Sequence, residues 1–185
     1  MTKIGVLNYY EELNNIMFST KNAPIGDNLL EPLNYLCMEC KNNNIELVTP
    51  DFIENIDDMD GFIFFDFSEI NRKHIQQIFE TKVKKILIIN ESQVILASNW
   101  NLENHKYFDK IFTWNDEWVD DKKYFKFNYS YKIPKKINKS CKNKKLCTLI
   151  AGNKTSTHEL ELYSKRIEAI RWFEKYHIND FIYME

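Results

Sequence analysis

Phe62-Ile63-Phe64-Phe65, preceded by the turn-forming run Asp57 to Gly61, is the stretch on which the fold turns. It is apolar throughout, with no alternating polar face, and so reads as a strand buried on both sides. Strands of that kind belong to parallel sheets covered by helices. Toward the amino terminus, Ile45 to Thr49 reads as another strand, stopped by Pro50. Ahead of it, Leu29, Leu30, Leu33, Leu36, Cys37 and Cys40 recur at helical spacing, which predicts a helix over Leu29 to Lys41 with Pro32 in its first turn. Lys3 to Asn8 reads as the first strand, followed by an acidic-aromatic turn.

Toward the carboxyl terminus, Glu69 to Phe79 is expected as a helix with Ile70, Ile75, Ile78 and Phe79 inward. Lys85 to Ile89 follows as a strand, then a long loop holding Glu91 to Trp100, a helical turn over Asn104 to Phe108, and a strand over Lys110 to Trp114. This alternation predicts an α/β, Rossmann-like domain over residues 1–134, with a mostly parallel sheet and helices on both faces. Lys135 to Lys145 carries six lysines and no aromatic residue, and reads as a linker. Beyond it come a strand (Leu146 to Ile150), a polar loop (Gly152 to His158) and an amphipathic helix over Glu159 to Tyr176. That helix sets Leu162, Ile167, Ile170, Trp172 and Phe173 as apolar contacts, and Asn179 to Tyr183 begins a further strand. Residues 146–185 are thus expected to open a second Rossmann-like domain as a truncated β-α(-β) fragment.

Composition narrows the function. With 44% hydrophobic and 15% aromatic residues, the chain is a folded globular protein. Its net charge of −2 is divided unevenly: residues 1–121 hold 10 Lys and Arg against 21 Asp and Glu, and the remainder holds 15 against 6. The basic part suits an anionic ligand as well as it suits a solvated surface. No apolar run reaches membrane-span length, and Met1-Thr2-Lys3 leads into a strand with no signal-peptide region. The expected setting is cytoplasmic, with peripheral membrane attachment allowed and Cys37, Cys40, Cys141 and Cys147 as reduced thiols.

Several common chemistries find no support. Cys37 and Cys40 form a C-x-x-C spacing, but inside a helical pattern and on its core side, which reads as two buried thiols. His74, His105, His158 and His177 have no ligand spacing, so no metal site is expected. Four glycines, none in a phosphate-loop pattern, argue against dinucleotide and P-loop binding. Nucleic acid is not an expected partner, because the Lys-rich linker lacks interleaved aromatics. Glu91, just past the apolar run Ile86-Leu87-Ile88-Ile89 and after Asn90, stands where open α/β sheets bind ligands, and a carboxylate there can take a proton from a hydroxyl. By position alone a surface turn is the better reading of it, since acidic residues commonly end strands in that way.

Two blocks carry a resemblance. The first is Asn90-Glu91-Ser92, then Asn99-Trp100, then Tyr107-Phe108-Asp109-Lys110-Ile111-Phe112-Thr113-Trp114-Asn115-Asp116. The second is Leu146 to Asn153, followed by Tyr163-Ser164-Lys165-Arg166-Ile167. Together they resemble the α-1,3-fucosyltransferase family of GT-B glycosyltransferases, especially its bacterial members, over roughly the second half of the chain. The resemblance implies an acceptor domain followed by a GDP-fucose domain, and transfer of fucose to a glycan hydroxyl with inversion. It implies Glu91 as general base, Arg166 on the donor's diphosphate, and Asn153 as a further donor-binding residue. The expected partners are GDP-fucose and a glycan acceptor, lactosamine-type included, with no cofactor; the sequence sets no oligomeric state. The family's Tyr-x-(Thr/Ser)-Glu-Lys motif is not found, so this chain alone is expected to bind GDP-fucose weakly and transfer little. The alternatives are a non-catalytic glycan- or protein-binding remnant of that fold, and an unrelated flavodoxin-like binding module.

Overall fold

Alternation within the apolar runs decides which side of the sheet each residue serves. The computed structural model describes residues 1–8, 15–19, 28–67, 72–131, 133, 135–136 and 145–184. The chain divides into two units, Met1–Ile133 and Pro134–Glu185. In the first, strands β1 (Thr2–Asn8), β2 (Ile45–Val48), β3 (Gly61–Phe65), β4 (Lys84–Ile88), β5 (Lys110–Thr113) and β6 (Tyr124–Lys126) form one sheet in the order β2-β1-β3-β4-β5-β6. Every neighbouring pair is parallel. Helices α1 (Ile16–Ser19) and α2 (Glu31–Asn42) precede β2, and α3 (Arg72–Glu80) precedes β4.

On one side of β3, Phe62 and Phe64 join Leu7, Leu87, Ile111 and the α3 residues Ile75 and Ile78. On the other, Ile63 and Phe65 pack with Val6, Met17, Leu47 and the α2 residues Leu33, Leu36, Cys37 and Cys40. The doubly covered β3 expected from its apolar run is therefore present, each buried aromatic contributing about 1.5–3 kcal/mol. Phe108 meets Phe64 edge-to-face at 5.1 Å and closes the α3 side. Gly5 is required beneath this layer, since a Cβ there would lie 2.6 Å from the Phe62 ring.

The winding direction reverses between β1 and β3, so this is a doubly wound sheet with a switch point between those strands. With few glycines in the chain, tight backbone positions fall to other residues. Asn15, Asn28, Asn44, Asp66 and Asp121 all take left-handed conformations, with φ of 54–63°. Asn44, just past α2, ends that helix in this way while its N–H returns to the Lys41 carbonyl.

Several boundaries differ from the sequence reading. Helix α2 begins at Glu31, so Leu29 is outside it and 38% exposed. Strand β6 was not expected. It forms because Asp120 Oδ1 accepts the N–H groups of Lys122, Lys123 and Tyr124 at 2.8–2.9 Å and turns the chain back into register with β5. The expected helix start at Glu69 and inward Ile70, the acidic-aromatic turn after β1, Cys141 and most of the Lys-rich stretch lie outside the described residues.

In the second unit, β7 (Cys147–Ile150) and β8 (Phe181–Met184) pair in parallel through the crossover helix α4 (Tyr163–Tyr176). Phe173 stacks on Phe181 at 4.8 Å, and Ile170 is buried. The helix starts at Tyr163, not Glu159; just ahead of it the Glu161 carboxylate accepts the Ser164 N–H at 3.0 Å. Of its expected apolar contacts, Leu162, Ile167 and Trp172 are instead exposed. No helix among the described residues is long and apolar enough to cross a membrane.

Candidate functional site

Glu91 lies past the carboxyl end of β4 and is half-buried. Its backbone is fixed from both sides. Asp66, which follows β3 in a left-handed conformation, turns its carboxylate across the strand ends. There Oδ1 accepts the N–H groups of Asn90 at 2.7 Å and Glu91 at 3.0 Å, and the Asn99 amide at 2.6 Å. The Glu91 carbonyl accepts the indole N–H of Trp100 at 3.1 Å, and the Asn90 carbonyl accepts that of Trp114 at 3.1 Å. Tyr129 donates its hydroxyl to the same Asn90 carbonyl. Charge-assisted bonds from one carboxylate, together with two indoles, hold this dipeptide in a single arrangement.

A second layer supports the first. Asn99 is fully buried and also accepts the Phe67 N–H at 2.6 Å, while Ser98 donates to the Phe67 carbonyl. The Asn99 carbonyl accepts Nε2–H of buried His105 at 2.7 Å, which leaves Nδ1 to accept from the Tyr124 hydroxyl at 3.1 Å. Burial pushes the His105 imidazole below its ordinary value, against the opposing pull of the Asn99 carbonyl, and keeps it neutral. Trp100 packs against Trp114 and Trp118 with ring centroids 5.2 and 4.7 Å apart. Burial, and then the nearby carboxylates of Glu91 and Asp66, push the Tyr129 phenol up to about 12, so it stays a donor across the physiological range.

The donor-side residues named from sequence belong to the second unit. Asn153 is exposed in the loop leaving the carboxyl end of β7. Arg166 is exposed on the first turn of α4, with its guanidinium over the Tyr163 ring at 5.0 Å. Both thus belong to the connection that leaves the carboxyl end of β7 and enters α4. A depression of about 450 Å³ lies elsewhere, on the α3 side of the first unit, between Ile53, Glu54, Asp57 and the end of α3 at Ile78 and Glu80; Glu91 does not line it. Among the described residues no group of three or more His, Cys, Asp or Glu is placed to hold a metal ion.

Sequence reasoning singled out Glu91 but missed Asp66 and Tyr129 as its neighbours. Asp66 ends a strand as any turn residue does, and only its left-handed backbone sends the carboxylate inward. No protein-family model, curated protein or solved structure matches this chain.

Proposed function

We propose that this chain is the acceptor-side part, with the opening of the donor side, of an inverting α-1,3-fucosyltransferase of GT-B architecture. One observation carries the reading. Asn99, Trp100 and Trp114, which stand with Glu91 in the first block of resemblance, all converge on the Asn90–Glu91 dipeptide or on the carboxylate that holds it. A fixed backbone under a half-buried carboxylate at a strand's carboxyl end suits a general base. Glu91 takes the proton of a glycan hydroxyl as that oxygen bonds to the anomeric carbon of GDP-fucose. The bond to GDP breaks on the opposite face, and the configuration inverts. Arg166 meets the charge gathering on the departing diphosphate, and Asn153 is a further donor-binding residue.

The test is transfer of radiolabelled fucose from GDP-fucose to N-acetyllactosamine over long incubation. The expected result is slow turnover that Glu91→Gln lowers by roughly 10²-fold or more. Turnover unchanged in Glu91→Gln would remove the base, and acceptor binding without turnover would favour the non-catalytic remnant. The strand order favours a further reading. β2-β1-β3-β4-β5 is the order of flavodoxin-like modules, whose ligand lies at the β1/β3 switch point. Asn8 and Asp66 stand at those two strand ends. Flavin mononucleotide binding at micromolar affinity, competing with no glycan, would replace the transferase by that module.

A further inference from the structure

From β6 onward an aromatic residue stands at every second position: Phe125 within the strand, then Phe127, Tyr129 and Tyr131 past its end. Alternate residues of an extended segment share one face. The rings follow one another along it, Phe127 to Tyr129 at 6.1 Å and Tyr129 to Tyr131 at 6.5 Å, the last pair inclined by only 20°. Exposure rises in the same direction, from half-buried Phe125 and Phe127 to 51% at Tyr129 and 68% at Tyr131. The Phe127 N–H still donates to the Thr113 carbonyl at 2.8 Å, so the row starts from the sheet and runs off its carboxyl edge. Its outer part is fastened to the Glu91 neighbourhood, because Tyr129 donates to the carbonyl of the preceding residue, Asn90.

We propose that Tyr129 and Tyr131 form a ledge on which one pyranose ring of a neutral glycan stacks, with its hydroxyls turned toward Glu91. The chemistry of the surroundings selects this ligand. An aromatic face is electron-rich and attracts the polarised C–H groups that line one side of a sugar ring. The charges acting on Tyr129 are carboxylates, Glu91 and Asp66, which accept from hydroxyls and repel phosphates. Among the described residues of the row itself, the one lysine, Lys126, is engaged by Asp116 at 2.5 Å and by the Trp114 carbonyl at 3.0 Å. A nucleobase stacks on the same rings, but its strand would bring phosphates toward the two carboxylates. The ledge deepens the proposed function by giving the acceptor a seat beside Glu91, and it rests on that reading only for the direction in which the hydroxyls face.

The experiment is an NMR titration of the full chain with N-acetyllactosamine, following the aromatic resonances of the tyrosines. Tyr129 and Tyr131 signals should move, with binding weakened about two- to tenfold in Tyr131→Ala and kept in Tyr131→Trp. Far-UV circular dichroism checks that the variants fold. Unmoved tyrosine signals, or equal affinity in Tyr131→Ala, would overturn the ledge, as would tighter, salt-dependent binding of an oligothymidylate at the same rings. The two proposals fail separately. Tyr131-dependent glycan binding without fucose transfer keeps the ledge and removes the transferase. Glu91-dependent transfer with an acceptor KM unaltered by Tyr131→Ala does the reverse.

Discussion

Two strand ends in this molecule begin alike and finish differently. After β4 and Ile89 the chain runs Asn90-Glu91-Ser92; after β7 it runs Ala151-Gly152-Asn153. Both leave the carboxyl end of a parallel strand and enter a polar loop. The first is gripped by Asp66, Trp100, Trp114 and Tyr129, with Asn99 and His105 behind them. The second exposes Gly152, Asn153, Lys154 and Thr155 in succession. On the proposed function, the contrast has a use: a general base needs a fixed backbone, whereas a donor-binding loop can take its order from its ligand.

The largest expected effect breaks the grip at its centre. Asp66→Ala strips the acceptor from three N–H donors, each of which costs about 1–3 kcal/mol if left unpaired in the interior. A loss of about 3 kcal/mol or more is expected in urea unfolding of the first unit. Hydrogen exchange sharpens the comparison: the Asn90 and Glu91 amides should be protected in the native protein and open in Asp66→Ala, while the Asn153 amide exchanges freely in both.

A smaller effect is written in pH. The folded-state value of His105 lies below the unfolded value of about 6.5, so on acidification the unfolded chain takes up that proton first. The contribution to stability is complete above about pH 6.5 and is lost as pH falls toward the folded value. Denaturation midpoints measured between pH 7 and 5 should decline more steeply in the native protein than in His105→Gln. Equal slopes would mean that His105 titrates alike in both states. The smallest effect belongs to the open edge. Asn153→Ala and Arg166→Ala should each change stability by less than about 0.5 kcal/mol, since both residues are exposed; a larger change in thermal unfolding would mean that this edge is also fastened.

The sequence carried the sheet further than it carried the site. Strands β1 to β5 were legible as short apolar-rich runs, and β3 most plainly, because a strand buried on both faces needs an uninterrupted apolar run and Phe62 to Phe65 has no other use. β6 was hidden because it is three residues long, includes Lys126, and depends on a side-chain turn at Asp120 that leaves no apolar signature. The α4 boundary was misjudged by four residues because Leu162 continues the helical spacing although the helix begins only at Tyr163. Glu91 was visible as a carboxylate after an apolar strand. Its partners were not, because Asp66 and Asn99 are 33 residues apart and meet only through the parallel neighbours β3 and β4.

The left-handed asparagines and aspartates have a consequence outside the native state. Glycine fits such turns with less steric cost, but in a denatured chain it roams far more of conformational space, and folding must gather all of it back. By setting Asn15, Asn28, Asn44, Asp66 and Asp121 at those corners, the chain accepts mild steric cost in the fold and keeps its denatured ensemble narrower. Part of what holds this protein together therefore lies in the disorder it never had.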